Sequence, residues 1–76
     1  MNDHDYVNFS EDHEMDYILQ KFEQRQTEDN REELRAMGVE LKRALKKERL
    51  MHIEFHPYVE NNLFRLESKP KPSTKL

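Results

Sequence analysis

Carboxylate and imidazole side chains are the groups of this 76-residue chain that could do chemistry. Six carboxylates, and no Lys or Arg, lie in the first twenty positions. Paired carboxylates catalyse acid–base reactions when burial separates their pKa values, but the local sequence offers no apolar pocket for this. The sequence also contains no Gly-rich phosphate loop, nucleophile elbow or HExxH motif. We therefore predict a protein that is not an enzyme and binds no small-molecule substrate.

A second group with possible chemistry is the alternating stretch around residue 54. His52, Glu54 and His56 would project from one side of a strand, and three such ligands can bind zinc or nickel. The chain has no cysteine, and no fourth ligand is evident. The prediction is the solvent-exposed face of a strand, with no metal and no other cofactor.

The charges divide the chain into two halves. Residues 1–33 carry eleven acidic and three basic side chains, whereas residues 34–76 carry five acidic and ten basic ones. No apolar run approaches the ~20 residues of a membrane span, and the first residues are acidic rather than basic and then apolar. These features predict a small cytoplasmic protein with no membrane contact and with a protein or polyelectrolyte partner.

The acidic N-terminal stretch has the composition of a docking segment. Aromatic side chains anchor in pockets of a partner, and carboxylates steer the segment towards a basic surface. Basic surfaces of this kind belong to nucleic-acid machinery, so the stretch could engage or block such a site. The predicted partner-binding residues are Asp3, Asp5, Tyr6, Phe9 and Asp12.

A basic run in the second half supports the alternative, a small nucleic-acid-binding module. Several of its cations can face outward together on a helix and meet phosphates. The same cations also stabilise the negative end of a helix dipole without any ligand. The residues of this alternative site are Lys42, Arg43, Lys46, Lys47 and Arg49, with help from the C-terminal tail.

Two resemblances accompany these patterns. The stretch 7–22 fits "VN-x-x-ED-x-E-x-x-Y-x-x-x-KF" and resembles a bacterial family of small helical domains of unknown function, which implies a helical fold. The residues that carry it are Val7, Asn8, Glu11, Asp12, Glu14, Tyr17, Lys21 and Phe22. In length, lack of cysteine and charge arrangement, the chain is similar to small phage-encoded inhibitors and antiterminators that bind host RNA polymerase. That similarity implies a transcription regulator docked on bacterial RNA polymerase.

Apolar spacing predicts two helices in the middle of the chain. Met15, Ile18, Leu19 and Phe22 share one face of a helix over 10–24, with Ser10 as its N-cap. A second helix over 29–49 opens with Asp29 and Glu32 in the form of a capping box. It carries Leu34, Met37, Leu41, Ala44 and Leu45. Gly38 lies within this helix, where it would either let the first helix approach closely or bend or end the helix.

The C-terminal third predicts strands. Alternation in "LMHIEFH" favours a strand over about 51–56, and "LFRLE" a second over about 63–67, joined at Asn61–Asn62. The alternative is a short helix that opens at Pro57. The predicted fold class is α+β, mainly α: a helical hairpin with a small β-hairpin in a single domain over 10–67. A flexible acidic arm (1–9) and a disordered basic tail (68–76) flank it.

Overall fold

The computed structural model of the chain describes residues 5–68 and shows three α-helices. Helix α1 spans Asp12–Lys21, α2 spans Glu28–Leu45 and α3 spans His52–Glu60, and a single 3-10 turn, Leu63–Arg65, follows. Both α1 and α3 pack against α2. None of these helices is long and apolar enough to cross a membrane.

The predicted β-hairpin is wrong, whereas the mainly helical character is confirmed. Within residues 5–68 the only strand-like pairs are two isolated bridges, Tyr6 with Met51 and Gln24 with Ser68. The stretch predicted as a first strand forms α3, and the stretch predicted as a second strand forms the 3-10 turn and the residues after it. The residues proposed for the hairpin turn instead close α3, where the Asn61 N–H donates to the Pro57 carbonyl over 3.1 Å.

Burial of two histidines explains why a helix forms here. The buried positions of α3 are His52, Phe55, His56 and Val59, which share one helical face. The alternating pattern counted both histidines as solvent-facing and Ile53 as core, but Ile53 is half exposed. Once the histidines are treated as core residues, the segment has the period of a helix and begins before Pro57.

Helix α1 begins and ends close to the predicted limits of 10–24. Ser10 does not cap it; the Ser10 hydroxyl donates to the Asn8 Oδ1 atom over 2.6 Å, and the helix begins at Asp12. Glu23 adopts a left-handed backbone (φ 59°), and the Gln24 N–H then donates to the Leu19 carbonyl. This bond closes the last turn and ends the helix at Lys21.

Helix α2 runs without interruption through Gly38. Its N-cap is Thr27, whose hydroxyl accepts from the Asn30 N–H, so the helix begins one residue before the predicted start at 29. It ends at Leu45 rather than at 49, because Lys46 takes a left-handed conformation (φ 56°).

One hydrophobic core holds these elements together. It draws side chains from all three helices, from the α2–α3 connection and from both ends of the described chain. Its buried members are Val7, Met15, Ile18, Leu19, Leu34, Met37, Leu41, Leu50, Phe55, Val59 and Leu66. The apolar spacing of the first two helices therefore placed their core positions correctly up to Leu41, whereas Leu45 is half exposed.

The segment of residues 5–9, which was predicted to belong to a flexible arm, lies along the α2–α3 connection. The Val7 N–H donates to the Leu50 carbonyl, and the His52 N–H donates to the Asp5 carbonyl, each over 2.8 Å. Val7 is buried and Phe9 is partly buried against the core. These bonds join the N-terminal segment to the start of α3.

Candidate functional site

The predicted partner-binding residues do not form one exposed patch. Asp3 lies outside the described residues. Asp5 is exposed, and Tyr6 is 45% exposed with its ring centroid 3.9 Å from the guanidinium carbon of Arg49. Phe9 and Asp12 are held by intramolecular contacts, so Asp5 and Tyr6 are the described members of the set that still face outward without an ion pair or core contact.

The Phe9 ring occupies a slot over α2. Its centroid lies 5.0 Å from that of Phe55 in an edge-to-face arrangement, and the Lys42 ammonium lies 4.9 Å from it on a ring face. Gly38 forms the floor of the slot: a Cβ atom built there would lie 2.6 Å from two ring carbons of Phe9. The close approach predicted at Gly38 therefore exists, but the partner is Phe9 and not α1.

Two of the three carboxylates of α1, those of Asp12 and Asp16, form ion pairs with two arginines of α2. Arg35 reaches Asp12 over 2.7 Å, and Arg31 reaches Asp16 over 3.0 Å. The hydrogen bond from Arg35 is the main cause that lowers the pKa of the Asp12 carboxyl. Arg35 also donates through Nε to the Phe9 carbonyl. Much of the acidic character of the N-terminal half is thus matched within the fold.

Helix α2 and the α2–α3 connection carry the predicted basic residues. Lys47 forms an ion pair with Glu54, which lowers the pKa of that carboxyl. The other four cations have no carboxylate partner among residues 5–68. They are Lys42, Arg43, Lys46 and Arg49.

A second candidate surface lies at the 3-10 turn. The Phe64 side chain is 83% exposed, the highest value among the large hydrophobic residues of the described chain. Its neighbour Arg65 donates to both carboxylate oxygens of Glu40 over 2.8 Å and, through Nε, to Glu33 over 2.7 Å. The Tyr58 hydroxyl also donates to Glu40, over 2.8 Å.

This network shifts the pKa values of the charged groups that form it. Hydrogen bonds from Arg65 and then from Tyr58 lower the pKa of Glu40 from 4.5 to about 2. Glu40 and Glu33 in turn raise the pKa of the Arg65 guanidinium. Bidentate pairing fixes both the distance and the plane of the guanidinium group, so the turn that carries Phe64 has a defined position on α2.

A line of four polar side chains crosses the contact between α1 and α3. The Lys21 ammonium lies 2.7 Å from the His56 Nδ1 atom, and the His56 Nε2 atom lies 2.9 Å from the His52 Nδ1 atom. The His52 Nε2 atom is buried without a hydrogen bond and lies 3.4 Å from the Glu14 Oε1 atom. Glu54, the third residue of the alternating group, instead accepts from the Met51 N–H at the start of α3.

A shallow groove opens beside this line. Its volume is about 330 Å³, near the lower limit of typical ligand pockets. Among residues 5–68 no three His, Asp or Glu side chains are grouped as metal ligands. The groove is lined by Lys21, Phe22, His52, Ile53, His56, Pro57 and Glu60.

Comparison with family models, with curated proteins and with solved structures finds no match to this chain.

Sequence reasoning missed Phe64 and the buried histidine pair. The i, i+4 spacing of His52 and His56 was available as a signal for a shared helical face, but it coincided with an alternating pattern. No pattern in the sequence marks Phe64 as exposed, because its exposure depends on how Arg65 pairs with a helix that is distant along the chain.

Proposed function

We propose that this protein is a non-enzymatic adaptor or inhibitor that binds a larger bacterial protein machine and alters its activity by occupying a surface. The observation that carries the proposal is Phe64, an aromatic side chain that is 83% exposed on a firmly held turn. Bacterial RNA polymerase is the first partner to test, and the cytoplasm is the proposed compartment.

The fixed position of the turn is what makes Phe64 a good anchor. Leu66 is buried and Leu63 is partly buried, so the residues that flank Phe64 and Arg65 pack into the core. The Arg65 guanidinium holds the same turn to α2 through Glu33 and Glu40. A side chain that is already positioned loses less conformational entropy on binding, and aromatic residues dominate the energetics of many interfaces.

The proposal moves the main contact away from Phe9, whose ring is partly buried and packs against the core. Exposed Tyr6 and Asp5 stay as candidates for secondary contacts. The choice of RNA polymerase is supported by the similarity in length and charge arrangement to small phage-encoded regulators. The role of Phe64 is supported by exposure and rigidity, and it does not depend on that choice.

The test compares wild type with a Phe64→Ser variant in two binding assays. Tagged protein is used to capture partners from nuclease-treated bacterial lysate, and binding to purified RNA polymerase is measured directly. Removal of a central aromatic anchor costs about 2 kcal/mol or more, so we expect an affinity loss of about 30-fold or more. The matched control is Leu45→Ser, which makes a similar change at a site that is 45% exposed.

The outcomes separate the two parts of the proposal. A partner that survives nuclease, is lost with Phe64→Ser and is kept with Leu45→Ser supports protein binding through the turn. If that partner is not RNA polymerase, the choice of machine is refuted and the binding role stands. Equal binding of wild type and Phe64→Ser would overturn the role of Phe64.

A further inference from the structure

Four cations without carboxylate partners lie at the C-terminal end of α2 and in the connection that follows it. Elsewhere in residues 5–68 the arginines Arg31, Arg35 and Arg65 are each matched by two or more carboxylates, and Arg25 donates to the Ser68 carbonyl. This end therefore carries four unmatched positive charges, although the formal charge of the chain is -3. They belong to Lys42, Arg43, Lys46 and Arg49.

An exposed aromatic ring adjoins this charge. The Tyr6 ring is 45% exposed, and the Arg49 guanidinium is stacked on it at 3.9 Å. The bridge between Tyr6 and Met51 and the bond from the Val7 N–H to the Leu50 carbonyl hold the ring beside the connection. A ring and a guanidinium plane offer stacking surfaces, and nearby cations offer contacts to phosphates.

We infer that this end of the molecule is a second binding site, for single-stranded nucleic acid, with Tyr6 and Arg49 as a stacking platform and Lys42, Arg43 and Lys46 as phosphate contacts. Single strands fit better than duplexes because their unstacked bases can reach a ring, whereas a duplex presents only its backbone and grooves. None of these residues is Phe64 or pairs with Arg65, so failure of this site would leave the proposed role of Phe64 untouched.

The test is fluorescence anisotropy of a labelled oligo(dT) of about 20 nucleotides with the purified full chain at several salt concentrations. Four cations that each neutralise a phosphate would give a slope of log K against log salt of about −3. An Arg43→Gln/Lys46→Gln variant should reduce the slope by about 1.4 and weaken binding at low salt by about tenfold or more. The control is Arg25→Gln, which removes one positive charge at an exposed arginine before the start of α2 and should leave the slope unchanged.

Two variants of Tyr6 test the platform itself. Tyr6→Leu should weaken binding about fivefold or more, because stacking on one aromatic ring is worth about 1–3 kcal/mol per base. Tyr6→Phe keeps the ring and should bind like wild type. Circular dichroism of both variants verifies that the helices are intact.

Several results would overturn the inference. They are the absence of binding at about 20 mM salt, equal weakening by Arg25→Gln, and equal binding of Tyr6→Leu and wild type. Competition by poly-glutamate as effective as competition by unlabelled oligo(dT) would also overturn it, since the surface would then be a general site for acidic polypeptides. Selective displacement by oligo(dT) would support it.

Discussion

The Nδ1 atom of His52 lies 2.9 Å from the Nε2 atom of His56, in the interior between α1 and α3. The donor and the acceptor in this bond can be identified from Lys21, which contacts the other nitrogen of His56. An ammonium group can donate hydrogen bonds but cannot accept them, so the His56 Nδ1 atom must accept from Lys21. His56 then carries its proton on Nε2 and donates to His52, which places the His52 proton on Nε2, facing Glu14.

We therefore predict that the neutral forms of His52 and His56 are both Nε2–H tautomers. Long-range ¹H–¹⁵N correlation spectra distinguish the two ring nitrogens directly. The exposed His13 ring provides an internal reference from the same spectrum. An Nδ1–H tautomer at His56 would contradict the assigned direction, and Lys21→Met should release the preference at His56 while leaving His13 unchanged.

The close packing of the Phe9 ring on Gly38 predicts that a Gly→Ala substitution in this helix destabilises the fold, whereas such a substitution usually stabilises it. Gly→Ala in a helix normally stabilises by about 1 kcal/mol. Here the added Cβ atom would lie 2.6 Å from the Phe9 ring, which is confined by Phe55 and Lys42. We expect Gly38→Ala to lower the free energy of unfolding by about 1–3 kcal/mol, the usual cost of overpacking.

Urea denaturation of a double-mutant cycle with Phe9→Ala measures this coupling. In the Phe9→Ala background the clash is absent, so Gly38→Ala should then be neutral or stabilising. A Gly38→Ala effect that is the same in both backgrounds would show that Phe9 does not limit the site.

Asn30 links the start of α2 to the end of the described chain. Its side-chain amide donates to the carbonyls of Arg25 and Glu67, and its Oδ1 atom accepts from the Glu67 N–H. Asn30→Asp replaces both donors with a buried carboxylate that faces two carbonyls. We expect it to destabilise the fold by about 3 kcal/mol at pH 7 in urea unfolding.

The control for this substitution is Asn8→Asp. The Asn8 Oδ1 atom only accepts, from the N–H and hydroxyl of Ser10, and the site is exposed. The same chemical change there should alter stability by less than about 0.5 kcal/mol. Equal effects at the two positions would mean that the Asn30 amide bonds do not hold the chain.

The Glu40 carboxyl makes the stability of the fold sensitive to acid. Its pKa is about 2 when folded, against 4.5 ordinarily, because Arg65 stabilises the carboxylate. As the pH falls below about 4.5, the unfolded chain binds this proton first, so folding is progressively disfavoured. The stabilisation is complete above about pH 5 and is lost as the pH approaches 2.

Urea unfolding of wild type and Glu40→Gln between pH 7 and pH 2.5 tests this sensitivity. The difference in unfolding free energy should be constant above about pH 5 and should shrink below it. Glu60→Gln, which removes an exposed carboxylate on α3, corrects for the change in net charge. A difference that does not depend on pH would contradict the depressed pKa of Glu40.

The first two helices could be predicted because their apolar residues repeat at helical spacing, whereas their caps were assigned wrongly: Ser10 does not cap α1, and Thr27 rather than Asp29 caps α2. Leu34, Met37 and Leu41 illustrate this spacing, since one stripe places all three in the core. The third helix could not, because its core face contains His52 and His56, which count as polar until their partners are known.

The candidate sites depended more strongly on contacts between distant parts of the chain. Phe9 lies in a stretch with the composition of an exposed docking segment, and only the slot over Gly38 shows that its ring packs, partly buried, against the core. Arg65 could pair with many carboxylates, and the choice of Glu33 and Glu40 follows from how the turn lies on α2. The basic run, in contrast, was visible in the sequence because its residues are neighbours.

The bond between the Val7 N–H and the Leu50 carbonyl also bears on how the chain folds during synthesis. The ribosome releases Val7 long before Leu50, so this N–H has no native acceptor while α1 and most of α2 are being made. Helices form locally, whereas this closure must wait for a residue far along the chain. Residues 5–9 thus leave the ribosome well before the residues they pair with, and during that interval Phe9 remains open to chaperones and proteases.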